Sequence, residues 1–316
     1  MIVRPVRPID VVALWTFLRR ANTVELTTHT WPKVQPESGH LSLTGLLGQA
    51  IGPRYGQRCT RIALEGRAVH SYVVARARCD GMVWDVEHLH ADDEAAAGAS
   101  LEQVCLAAAS RGARRVFIDA PLASHASVWR RAGFSRYANS ALFRLNPPFS
   151  VEKQGAFAAR PRLRADEQAL FRLYSQAVPA PVRAAEAMTI DEWSALHRGS
   201  RRWQPSLLGD RHQFVWELGA GLAGWLEVVY GQKSQYLEFL VQPEYESLLD
   251  RLVGYALSQV STKAAVYASA RQYQASLASA LQRFGFATSL EVEILVRQLA
   301  PRVPEPKLMP AQVVGG

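Results

Sequence analysis

Val86-Glu87-His88-Leu89-His90 is a strand-like run that passes through an acidic turn, Asp92-Asp93-Glu94, into an amphipathic helix over 96–110 that Gly112 stops. Leu237-Glu238-Phe239-Leu240-Val241-Gln242-Pro243 makes the same passage, into a helix over 247–260. Glu87-x-Leu89 thus lines up with Glu238-x-Leu240. Downstream, Trp129-Arg130-Arg131-Ala132-Gly133-Phe134 lines up with Leu281-Gln282-Arg283-Phe284-Gly285-Phe286. Upstream, Asp10-x-x-Ala13-Leu14-Trp15, ending at Ala21, lines up with Asp166-x-x-Ala169-Leu170-Phe171, ending at Ala177. Three anchors in one order at nearly constant spacing mean that one unit has been duplicated.

Working outward, the first copy reads as a strand over 2–6 and a helix N-capped by Asp10. An irregular stretch over 22–55 follows, with one short helix at 41–50. Strands at 58–64, 68–78 and 82–90 are joined by Glu65-Gly66-Arg67 and Asp80-Gly81, both hairpin signals. After the long helix come a strand at 115–119, a helix at 125–132 and a closing strand pair within 134–145. Asn146-Pro147-Pro148-Phe149-Ser150 breaks the pattern. The second copy then gives strands at 156–161, 212–218, 223–230, 235–241 and 264–269, helices at 166–177, 247–260 and 275–283, and a closing strand region at 286–299. The expected organisation is a domain at 1–146, a linker at 147–154, a domain at 155–300 and a disordered tail at 301–316. The fold class is α/β (α+β), each domain a mixed, mostly antiparallel twisted sheet flanked by helices.

The composition agrees with two ordinary cores: 316 residues, 48% hydrophobic and 20% charged. No apolar run reaches membrane-helix length and the start lacks an export-signal pattern, so a cytoplasmic protein is expected. Cys59, Cys79 and Cys105 stand alone, outside any CxxC pair, and read as small hydrophobes. The net charge of +8 comes from 36 basic against 28 acidic residues, scattered as short pairs such as Arg130-Arg131 and Arg201-Arg202. Scatter argues against a nucleic-acid stripe and leaves either a solvated surface or a rim attracting an anionic ligand.

The element order and the two sets of anchors resemble the GNAT superfamily of acyl-CoA-dependent N-acetyltransferases, once per half and over nearly the whole chain. The resemblance implies acetyl-CoA or another acyl-CoA as cosubstrate, with its pyrophosphate at the N-terminus of the long helix on a (Gln/Arg)-x-x-Gly-x-(Gly/Ala) turn. Ala95-x-x-Gly98-x-Ser100 is the best match in the first half, which makes Leu89, His90, Gly98, Ala99 and Ser100 the expected coenzyme-binding positions. Glu246-x-x-Leu249-x-Arg251 matches in the second half without a glycine. Both turns are preceded by carboxylates (Asp92, Asp93 and Glu94; Glu244 and Glu246), which suit a helix N-terminus and repel a phosphate. The family's general-acid tyrosine, four residues before the Gly of Gly-Phe, is replaced by Trp129 and Leu281, while Tyr137 and Tyr273 lie off the motif. Glu87 and Glu238 stand where members place a base, so a burial-raised carboxyl taking a proton from an ammonium is one reading of each. A strand glutamate paired with arginine is the other; the two stand level for Glu87, and the second leads for Glu238.

His88 and His90 share one strand face between Asp85 and Asp92, but no third ligand follows from the spacing, and no metal site is expected. Trp193, Trp203, Trp216 and Trp225 make the second half aromatic-rich; Trp216 and Trp225 read as core and Trp203 as a surface residue. No hydrolase elbow, zincin helix or Walker loop is present. The expected function is an atypical acyl-CoA-dependent N-acyltransferase for a small amine, with the coenzyme in the first half and an acceptor cleft shaped by the second. The alternative is a catalytically inert tandem protein that binds a metabolite or a protein partner, with a homo-oligomer compatible with either.

Overall fold

A computed structural model describes residues 1–20, 24–26, 46–47, 58–78, 81–122, 126–150, 159–197, 210–219, 221–231 and 234–300. Each half opens with a short strand, β1 (Ile2–Pro5) or β8 (Ala159–Pro161). A 3₁₀ turn and a helix follow, the helices in order being α1 (Val11–Leu18) and, in the second half, Glu167–Ala177. Asp10, expected as an N-cap, makes no side-chain cap to α1. Its carboxylate instead accepts the Arg4 guanidinium at 2.6 and 2.7 Å and the Arg7 N–H at 2.8 Å. Asp166 repeats this with both arms of Arg160 and the Leu163 N–H, all at 2.7 Å. A two-pronged arginine–carboxylate bond thus ties strand to helix in each copy, with Arg4 and Arg160 extending the Asp10/Asp166 anchor upstream.

In the first half β2 (Val24–Glu25), β3 (Arg58–Glu65), β4 (Ala68–Arg78) and β5 (Val83–Ala91) precede helix α2 (Glu94–Ala109), β6 (Arg115–Pro121), helix α3 (Ala126–Arg131) and β7 (Ser135–Leu145). In the second, α4 (Glu167–Ala177) is followed by two short helices, α5 (Ala180–Glu186) and α6 (Ile190–His197), where the sequence reading expected irregular chain. Then come β9 (Arg211–Leu218), β10 (Gly221–Tyr230), β11 (Ser234–Val241), α7 (Leu249–Ser258), β12 (Ala265–Arg271), α8 (Ala275–Arg283) and β13 (Ala287–Gln298). The closing pair expected within 134–145 is one continuous strand, β7. The helix expected from 247 begins as a 3₁₀ turn, Pro243–Leu248, and becomes α-helical at Leu249. Of the helix expected at 41–50 only Leu46 and Leu47 are described, both helical; Cys79, Trp203 and the tail at 301–316 lie outside the described residues.

The Gly-Phe anchors are helix stops. Gly133 and Gly285 take φ values of +74° and +84°, which glycine adopts without a Cβ penalty. Their N–H groups donate to Arg130 and Gln282, while Phe134 and Phe286 donate back to Trp129 and Leu281 at 2.9 and 3.1 Å. This paired bonding is the Schellman geometry, and both phenylalanines are buried. Trp129 and Leu281, at the positions of the family's general-acid tyrosine, are buried carbonyl acceptors of that stop.

All thirteen described strands join one sheet, in the order β1-β3-β4-β5-β6-β13-β7-β12-β11-β10-β9-β8, with β2 added to β5. Only β5–β6 and β11–β12 are parallel. The closing strands change places: β13 lies between β6 and β7, while β7 lies between β13 and β12. The cores follow the exchange. Leu295 packs with the first half's residues under α2, and Phe143 and Leu145 pack with the second half's under α7 and α8. A buried ion pair crosses between the halves, Arg115 on β6 donating to Glu192 on α6 at 2.9 Å. No helix among the described residues is long and apolar enough to cross a membrane.

Candidate functional site

Each half contains one place where parallel neighbours part. β5 and β6 pair only from Val83 opposite Arg115 to Asp85 opposite Phe117. β11 and β12 pair only from Ser234 opposite Ala265 to Leu237 opposite Ala268. Beyond these points each strand stays bonded to its outer neighbour, so a slot opens in the sheet.

The first slot is closed by the chain itself. β2 pairs with its β5 edge, Val24 opposite Ala91 and Glu25 opposite His90, and the Leu26 N–H donates to the Leu89 carbonyl at 2.8 Å. Leu89 is fully buried beneath α2, so neither its side chain nor its carbonyl is open to a ligand. Gly98, Ala99 and Ser100 lie in the second turn of α2, where backbone N–H groups serve the helix's own ladder. The helix starts earlier, at Glu94, and the Asp93 carboxylate caps it by accepting the Ala96 N–H at 2.7 Å. A Cβ at Gly98 would meet nothing within 4 Å, so no close backbone packing calls for glycine there. The cradle expected at Gly98-x-Ser100 therefore has neither free N–H groups nor the right charge for a pyrophosphate.

Glu87 sits at a bulge: Val86 faces Ala75 and His88 faces Val74, leaving Glu87 as the extra residue. The bulge brings Leu89 and Ala91 to the same core as Trp84 and Val86. It turns His88 and His90 to the other face, where their rings stack at 6.1 Å. The Glu87 carboxylate accepts Arg58 at 2.7 Å and lies 3.6 Å from Arg76. Burial pushes its pKa up, but Arg58 and Arg76 outweigh burial and leave it below the usual value. Of the acids flanking the histidines, Asp85 pairs with Arg78 and Asp92 with His70.

The second slot is built differently. Glu238 is the first residue past the last pair of β11 and β12, and its cross-strand neighbour on β10 is Glu227. Among the described residues no group donates a hydrogen bond to the Glu238 carboxyl, which keeps part of its surface exposed. Burial and then the Glu227 charge push its pKa up to about 7, against the smaller pull of Arg271 and Arg211. Glu227, almost fully buried, accepts Gln213 at 2.6 Å and is likewise raised, chiefly by burial. The Tyr236 hydroxyl bonds Ser269 at 2.6 Å across the closed end of the slot.

On the other side of the slot, Arg271 ends β12. Its Nη1 donates to Glu186 of α5 at 2.7 Å, and Glu186 also accepts Tyr174 at 2.6 Å and Tyr137 at 3.4 Å. Tyr137 belongs to β7 and reaches this site only because of the strand exchange. Tyr273, pushed up to about 12 by burial, packs with Tyr137, Tyr174, Trp225 and Leu240 on the same face. A side chain bridges the open end: the Gln274 amide accepts the Arg271 N–H at 2.9 Å and donates to the Phe239 carbonyl at 3.2 Å. The helix end beyond carries Glu244 and Glu246, the latter bonded by Ser276. Neither helix N-terminus thus fits a pyrophosphate, and the second slot is the less obstructed, held by one flexible amide where the first holds a strand. Sequence reading did not single out Arg271, Glu186, Glu227 or Gln274; the available signal was an arginine closing the apolar strand Ala265–Arg271.

No protein-family model matches this sequence, and no curated protein matches it. Among solved structures, the GCN5-related N-acetyltransferase from Sphaerobacter thermophilus aligns over 96% of both chains, with a TM-score of 0.53 and 14% identity. A functionally unknown conserved protein from Staphylococcus epidermidis aligns over 69% of this chain and 85% of its own, with a TM-score of 0.50 and 9% identity. The full-length match and the repeated element order agree on a tandem GNAT fold.

Proposed function

We propose, from a GNAT fold present twice, that the chain is an N-acyltransferase whose chemistry belongs to the second half. The observation that carries this reading is Glu238, a carboxyl without a described hydrogen-bond donor at the parting of β11 and β12, with a pKa raised to about 7. A base with that pKa is half ionised near neutrality, where proton transfer from an ammonium group is most efficient. Glu87, held as a carboxylate by Arg58 and Arg76, is a weaker base and a structural ion pair. An acyl thioester such as acetyl-CoA is the donor that the fold's named neighbour makes the natural choice. Its phosphates would have to sit away from the acidic helix ends, so no step here depends on them.

Acyl transfer from acetyl-CoA to a panel of amines tests the reading. Turnover is expected, and Glu238→Gln should lower kcat by about 100-fold or more, while Glu87→Gln should leave kcat within a few-fold. Undiminished turnover in Glu238→Gln would remove Glu238 from the role of base.

A second reading has its own support. The strand β2 on β5, the Asp93 cap and the Gln274 bridge all occupy places where a coenzyme would bind. On that reading the chain is an inert tandem protein that binds a metabolite or a protein partner. Calorimetric titration with acetyl-CoA separates the two, since saturable heat belongs to the transferase and its absence at millimolar ligand to the inert protein.

A further inference from the structure

Glu238 and Arg271 face the same slot from opposite strands, and each has bonding capacity left over. The carboxyl of Glu238 receives no described donor. The guanidinium of Arg271, its side chain 29% exposed, donates to Glu186 through Nη1 and, among the described residues, to nothing through Nε or Nη2. Glu186 is buried and also bonded by Tyr174 and Tyr137, so it fixes Arg271 as a positive charge at the slot's edge. Alternation along the strands puts the pair on one face. Tyr236 bonds Ser269, which places both on that face, and Glu238 and Arg271 are each two residues further along.

The spacing follows from the register. Leu237 is level with Ala268, so Glu238 is level with Ser269 and Arg271 lies two residues beyond. At about 3.3 Å per residue the two side-chain roots are offset by about 7 Å along the slot. The Glu238 and Arg271 charges lie further apart than an ion pair, since no bond or salt bridge joins them, yet close enough for Arg271 to bear on Glu238 electrostatically. A ligand that inserts between them must present a cation to Glu238 and an anion to Arg271.

We propose that the acceptor is an α-amino acid, its ammonium seated on Glu238 and its carboxylate on the free face of Arg271. This rests on the transferase reading for the reaction, but on the slot's geometry for the ligand. With both charges on one carbon, such a molecule can answer both groups at once, through one hydrogen bond of about 3 Å to each. A simple amine would leave Arg271 without a counter-charge, and a bare carboxylic acid would leave Glu238 without one.

Calorimetry with the full chain tests this directly, titrating the standard L-amino acids and, beside each, its decarboxylated amine. At least one amino acid should bind ten-fold or more tightly than its amine, and Arg271→Gln should abolish that preference. Because the single variant strands Glu186, the Glu186→Gln/Arg271→Gln double variant, its folding checked by thermal melting, carries the same expectation. Amines binding as tightly as amino acids, a preference that survives in both variants, or no amino-acid binding at all would each overturn the inference. Acyl-transfer assays on the same panel keep it apart from the proposed function. Turnover of amines without preference for amino acids defeats the inference and leaves the transferase standing. Amino acids that bind with Arg271-dependent preference but are never acylated do the reverse.

Discussion

A carboxyl that gives up its proton only near pH 7 makes a folded chain pH-sensitive in a definite direction. Glu238 titrates near 7 in the folded chain and near 4.3 when unfolded, so between those values the folded state holds the extra proton. Stability should therefore fall as pH rises from about 4 to about 7 and then level off. Glu227, Arg211, Arg271, Glu186, Tyr236 and Tyr273 face this group from the surrounding elements, and all six stay in the Glu238→Gln variant. Denaturant titrations should find that variant roughly 2 kcal/mol more stable than the parent at pH 8, and equal to it at pH 4, after allowing for residual solvent access. Gly98 gives a second test at this scale. It lies inside a helix with open space where a Cβ would go, so Gly98→Ala should raise stability by about 0.5–1 kcal/mol. The same variant should leave any coenzyme binding unchanged. The sequence placed both glutamates on equivalent strands but did not show how differently they are surrounded. What separates them is cross-strand register: Arg58 and Arg76 beside Glu87, Glu227 opposite Glu238. Register is a long-range property that a motif does not contain.

At the scale of elements, the slots are decided by what lies along their edges. The Gln274 amide spans β11 and β12 as a peptide unit would. Its removal in Gln274→Ala should tighten acetyl-CoA binding by several-fold in calorimetry if the donor enters there. Unchanged or weaker binding would place the donor elsewhere. Most elements were legible because each carries a local signal: period-two strands, hairpin glycines, and helices ended by Gly-Phe. β2 was not, since two residues pairing with β5 leave no periodicity to read. Nor was the N-terminus of α2. The Gly-x-Ser spacing pointed to a turn, whereas Asp93 caps the helix five residues before Gly98. A single capping side chain outweighed the motif.

Across the whole molecule the two copies are locked rather than merely joined. Arg115 and Glu192 are both almost fully buried, and among the described residues Arg115 Nη1 has no hydrogen-bond partner. Glu192→Gln would leave that cation uncompensated and should cost about 3–5 kcal/mol in urea melts. A cost under 1 kcal/mol would mean that water reaches the pair. The duplication was plain in the sequence, while the strand exchange was invisible in it. A closing strand has the same alternation whether it returns to its own half or to the other one. The junction near residue 150 is thus a boundary in sequence that the sheet does not observe. The exchange also has a consequence in time. The gap between β6 and β7 cannot fill until β13 has been synthesised, roughly 150 residues after β7. At about 5–20 residues per second, a nascent chain on the ribosome carries that open slot for on the order of ten seconds. For most of that interval, until β12 is made, β7 has no native neighbour on either side, so this protein's exposure to aggregation is concentrated during its own translation.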